Sequence, residues 1–136
     1  MKVKILANGK FTIAAIMKGD SCPTYDSLNG GLQSQYQKHG DALLVKLDRI
    51  ATDGFDNFSS SLSHLIHRNP NIYELIHGQL RLVYFHGEGK TIVVCTEVII
   101  KKTQKADSHV VNRAISAYRD YFHSIMKNSL IEIREE

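Results

Sequence analysis

Two apolar runs joined by a short turn, Gln79 to Lys105 (QLRLVYFHGEGKTIVVCTEVIIKKTQK), constrain the fold more than any other stretch. Leu80, Val83, Tyr84 and Phe85 are bulky strand formers, and His86-Gly87-Glu88-Gly89 supplies the turn. The second run, Thr91 to Ile100, is rich in Val, Ile and Thr and suits a largely covered strand. A single arginine, Arg81, lies inside the first run. The second run gives way abruptly to Lys101-Lys102-Thr103-Gln104-Lys105.

Charge makes that change informative. Residues 79–105 hold five cations (Arg81, Lys90, Lys101, Lys102, Lys105) and two anions (Glu88, Glu97), and the rest of the chain is balanced. The whole formal excess of a +3 protein therefore sits on one predicted hairpin. Such an excess at a strand end is an electrostatic footprint for a polyanion, and it is also what a solvated strand terminus looks like.

The flanking chain reads as one domain over residues 1–136, long enough to build a core without staples. Met1 to Met17 is predicted to form a β-hairpin around Asn8-Gly9. Lys18 to Gly31 reads as loop, with a helical turn starting at Thr24. Leu32 to Asp53 carries apolar residues at helical spacing and ends at Gly54, with a possible break at Gly40. Phe55 to Pro70 reads as irregular, with Leu62, Leu65 and Ile66 turned inward. Ile72 to Ile76 is a short strand. Asp107 or Ser108 caps a last helix through Met126, with Val111, Ala114, Tyr118, Tyr121 and Ile125 as its buried stripe. Leu130 to Ile133 forms a last strand or a docked tail. Sequential strands with short turns imply an antiparallel sheet with helices packed on one face, an α+β fold.

Cys22 and Cys95 show no metal or redox spacing, and Cys95 reads as a small buried hydrophobe. The seven histidines are scattered, so no metal site is expected, and no cofactor motif appears. No apolar run approaches the roughly 18 residues of a membrane span, and no signal peptide is visible, so a cytoplasmic protein is expected.

Tyr73-Glu74-Leu75, Leu80 to Phe85, Lys90 to Val94, Lys101 to Lys105, Asn112-Arg113-Ala114 and Tyr118 to Tyr121 together form a pattern. It resembles the RelE/HigB/ParE superfamily of bacterial type II toxin–antitoxin toxins, closest to its phage-derived HigB-like branch. The resemblance runs from about Asp41 to Phe122, and the lysine tract leading into a helix is its most specific part. Where a His-Gly-Phe-like triplet is expected before the lysines, this chain has Glu97-Val98-Ile99.

The resemblance implies a RelE-like, microbial ribonuclease-like fold and an mRNA endonuclease acting at the ribosome. Its cognate antitoxin would be a small helix-turn-helix protein. In the implied reaction the RNA's own 2′-hydroxyl attacks the adjacent phosphate, so no metal is needed to make a nucleophile. Arg81 occupies the expected strand position of the catalytic arginine, and a guanidinium fork suits a phosphoryl group gaining charge. Lys101 and Lys102 would hold the developing anion. Lys90, Lys101, Lys102, Gln104 and Lys105 are the implied RNA contacts. His109 is either an acid–base group or an exposed helix-start residue. Glu97, which strand alternation puts on the face of Cys95 and Ile99, either pairs with Arg81 or a lysine or acts as a base. Two other readings share the scaffold: a ParE-like gyrase inhibitor, and a homologue that binds its antitoxin without cleaving RNA.

Overall fold

The computed structural model describes residues 1–56, 62–101 and 107–134. Its centre is β5 (Leu80–Phe85), paired antiparallel with β4 (Ile72–His77) on one side and β6 (Thr91–Ile100) on the other. The sheet continues from β4 to β3 (Ser63–His67). From β6 it continues to β2 (Thr12–Ile16), β1 (Lys2–Asn8) and β7 (Ile131–Ile133), giving the order β3-β4-β5-β6-β2-β1-β7. The fold is α+β and consistent with a RelE-like architecture. The sheet is mixed rather than antiparallel throughout, because β2 runs parallel to β6 and β7 parallel to β1.

Helices cover both faces of the sheet, not one. The reason is visible in β5, where Leu80, Leu82 and Tyr84 point to one side and Val83 and Phe85 to the other, all of them buried. A strand apolar on both faces needs a layer on each. Helix α2 (Ser34–Asp53) places Leu43, Leu47 and Ile50 against Leu80, Leu82 and Tyr84. Helix α3 (Ser108–Met126) places Val110, Ala114 and Tyr121 against Val83, Phe85 and Val94 on the opposite face. Short α1 (Pro23–Asp26), which begins one residue before Thr24, runs into a wide turn at Ser27–Gly31 that buries Leu28 beside α2.

Gly40 does not break α2. It is buried, and a Cβ there would lie 2.8 Å from the Leu32 side chain, so the glycine admits Leu32 against the helix. The segment expected to be irregular before Pro70 instead contributes edge strand β3, and Leu65 faces outward, 39% exposed. Asp107 caps α3 by accepting the His109 backbone N–H at 2.8 Å. Cys22 and Cys95 are both buried and unbridged, and burial pushes the Cys95 thiol well up.

Candidate functional site

Arg81 is the second residue of β5, and pairing across the Gly78 turn decides its neighbours. The register Ile76 to Arg81 and Glu74 to Val83 puts Glu74 and Arg81 on the α3 face, one diagonal step apart. The Glu74 side chain is 4% exposed and that of Arg81 17%. Arg81 Nε lies 3.6 Å from Glu74 Oε1, an ion-pair distance too long for a hydrogen bond, and it has no hydrogen-bond partner. Arg81 Nη1 donates to the carbonyl oxygens of Gly78 at 2.7 Å and Leu80 at 2.9 Å.

Lys101 completes the group. Its backbone N–H donates to the Gln79 carbonyl at 2.8 Å, extending the β5–β6 ladder by one bond. That anchor brings its ammonium 3.2 Å from the same Glu74 Oε1, with the side chain 15% exposed. Two largely buried cations thus converge on one buried carboxylate. A carboxylate removed from water needs such partners, and here they outnumber it, so the sheet end keeps a positive charge. Chemically, the arrangement gathers a guanidinium and an ammonium at one sheet end, where an anion would meet an excess of positive charge.

The other expected site residues are distributed differently. Among the described residues, Glu97 meets neither Arg81 nor a lysine. It receives Arg113 of α3 in a bidentate pair, Nε to Oε2 at 2.8 Å and Nη2 to Oε1 at 2.9 Å, and that pairing raises the Arg113 pKa. Glu97 also leaves the face of Cys95. A β-bulge shifts the register between Val83–Glu97 and Tyr84–Cys95, so Thr96 is the extra residue and Glu97 stands with Ile99 on the α3 side. His109 lies in the first turn of α3 and is exposed. Lys90 is exposed at the β5–β6 turn, the opposite end of the hairpin from Arg81 and Lys101. Lys102, Gln104 and Lys105 lie outside the described residues.

Glu74 is the residue that sequence reasoning passed over. Its signal was an acidic side chain inside the apolar run Ile72–Ile76, seven positions before the only arginine of the next strand. Alternation about Gly78 puts the two on one face.

Residues 31–119 match the family model of the phage-derived Gp49-like proteins (DUF891). The chain belongs to this family. Gp49-like proteins are toxin-like, related to toxins of the RelE and HigB type, which at that level implies an antitoxin partner. The match contains Glu74, Arg81, Lys101 and most of α3, and leaves the β1–β2 hairpin and β7 outside. No curated protein and no solved structure matches the chain. No helix among the described residues is long and apolar enough to cross a membrane.

Proposed function

We propose that this Gp49-like protein is the toxin of a toxin–antitoxin pair and cleaves mRNA at the ribosome, using the Glu74–Arg81–Lys101 cluster. The observation that supports it is the convergence of Arg81 and Lys101 at the end of the sheet where the lysine tract begins. In the proposed reaction the 2′-oxygen bonds to phosphorus and loses its proton, while the bond from phosphorus to the 5′-oxygen breaks and that oxygen gains a proton. Charge grows on the non-bridging oxygens, where Arg81 donates and Lys101 adds positive potential. Lys102 and Lys105 extend the phosphate track, and Gln104 contributes a neutral donor to it. Glu74 positions both cations by holding them to the sheet.

Comparing wild type with Arg81→Ala in a reconstituted translation reaction tests this. Wild type should cut the message, and the variant should be slower by roughly two to three orders of magnitude, as when one transition-state donor is removed. Equal cleavage by both would remove Arg81 from the chemistry. Growth arrest with intact transcripts would remove the nuclease itself.

One observation favours a second reading. Arg81 is turned inward, with Nε toward Glu74 and Nη1 on two carbonyls, so part of its fork is already engaged. A homologue that binds its antitoxin without cutting RNA would keep such an arginine for structure. For that reading, Arg81→Ala should lower stability, and wild type should leave the message whole.

A further inference from the structure

Glu74 compensates the cations on the α3 face; a second basic cluster, on the α2 face, has no such partner among the described residues. Lys46 of α2 reaches the end of β4, where its ammonium donates to the Ile76 carbonyl at 2.9 Å and to His77 Nδ1 at 2.9 Å. His39, one helical face along α2, sets its ring 5.2 Å from that of His77. His39 Nδ1 is buried without a hydrogen-bond partner. Among the described residues, no acidic side chain pairs with any of the three.

Only the Gly78 turn separates this cluster from Arg81. The Gly78 carbonyl accepts from Arg81 on one side, and on the other a Cβ at Gly78 would lie 2.8 Å from the His39 ring. With φ at +57°, the position also suits glycine conformationally. The chain is therefore at its thinnest where the two basic groups approach.

We propose that His39, Lys46 and His77 form a second phosphate-binding subsite, with the RNA backbone crossing the β4–β5 turn from Arg81 and Lys101 to the α2 face. The proposal rests on the reading of this protein as one that handles RNA. Three converging basic groups without an anion form an incomplete electrostatic arrangement, and a phosphate supplies what is absent. Lys46 keeps one ammonium proton uncommitted. His77 is held below its ordinary pKa by burial first, then by the charges of Lys46 and His39. A phosphate offsets those charges and favours a proton on the ring, which takes Nδ1 once Lys46 turns its ammonium to the phosphate, so binding should tighten as the pH falls from 8 toward about 6.

The test follows the histidine ring signals of the intact protein by NMR during titration with a 2′-O-methyl tetranucleotide, which 2′-attack cannot cleave. The His39 and His77 rings should shift saturably, and the His77 pKa should rise on binding. In Lys46→Met, the log–log salt dependence of binding should flatten by about 0.7 for the lost contact. The wild-type titration decides even if that variant fails to fold. Still His39 and His77 signals at millimolar oligonucleotide would overturn the proposal. So would an acidic peptide that moves them at lower concentration than the oligonucleotide, which would assign the surface to a protein partner. If the rings respond but Arg81→Ala leaves message cleavage unchanged, the subsite stands and the catalytic reading falls.

Discussion

Glu74 carries more at the residue scale than its position in an apolar strand suggests. Its carboxylate balances two side chains that are each less than a fifth exposed, so losing it leaves two cations short of water and of a counter-charge. Removing one member of a buried ion group is costly, whereas exposed pairs contribute little. Glu74→Gln preserves the shape and deletes the charge, and it should lower unfolding stability by about 3 kcal/mol in urea. A loss under about 1 kcal/mol would show that Arg81 and Lys101 reach water when unpaired. Arg113 supplies the contrast. Its pair with Glu97 has good geometry, but its side chain is 54% exposed, so Arg113→Ala should cost no more than about 1 kcal/mol.

Elements follow the sequence where a strand carries its own apolar pattern and depart from it where a partner strand or a slip in register decides. The β5–β6 hairpin is legible because both apolar runs and their turn lie within one short window, and Asp107 was readable as the cap of α3. Strand β3 was not legible: Ser63-His64-Leu65-Ile66-His67 has no apolar face of its own, and pairing with β4 recruits it. The bulge at Thr96 left no mark either, because Thr91 to Ile100 is apolar on both sides and a slip changes no visible pattern. The sequence singled out Arg81 and Lys101, which the structure brings to one carboxylate, while Glu74 required the register across Gly78. The α3 cap offers a check at this scale. Asp107→Ala should cost about 1 kcal/mol, since the His109 N–H loses its acceptor. An unchanged melting temperature would mean that water replaces it fully.

Across the molecule, one sheet separates two apolar layers, and its titratable groups are set against both extremes of pH. His77 is held below its ordinary value, so the unfolded chain binds the proton more readily. Stability is then complete above about 6.5 and declines as the pH falls from there toward the lower folded value. Burial acts oppositely on the acids. It raises the Cys95 thiol and pushes the Tyr84 hydroxyl up to about 12, despite the hydrogen bond to Ser63. Their contribution is present below the ordinary values of 9.0 and 10.0 and is lost as the pH rises beyond them. Chemical denaturation across pH should therefore give a plateau near neutrality with a fall on each side. Cys95→Ala should lower the plateau, through its cavity, and soften the alkaline fall. An alkaline limb as steep as in wild type would assign that fall to other groups.

The parallel pairing of β2 with β6 sets a timetable for biosynthesis. As the nascent chain emerges, β1 and β2 form a hairpin early, but the strand that covers the outer side of β2 begins only at Thr91. Until then β2 offers an open edge, and Ala14, on the face that α3 covers in the finished fold, is still in water. β1 waits longer, for Ile131. Arg81 and Lys101 likewise meet only after β6 has docked, so the product acquires its charged cluster only once β6 has left the ribosome. Force-sensitive arrest of translation at successive lengths should show a pull after β6 clears the exit tunnel and none when only the first hairpin has emerged.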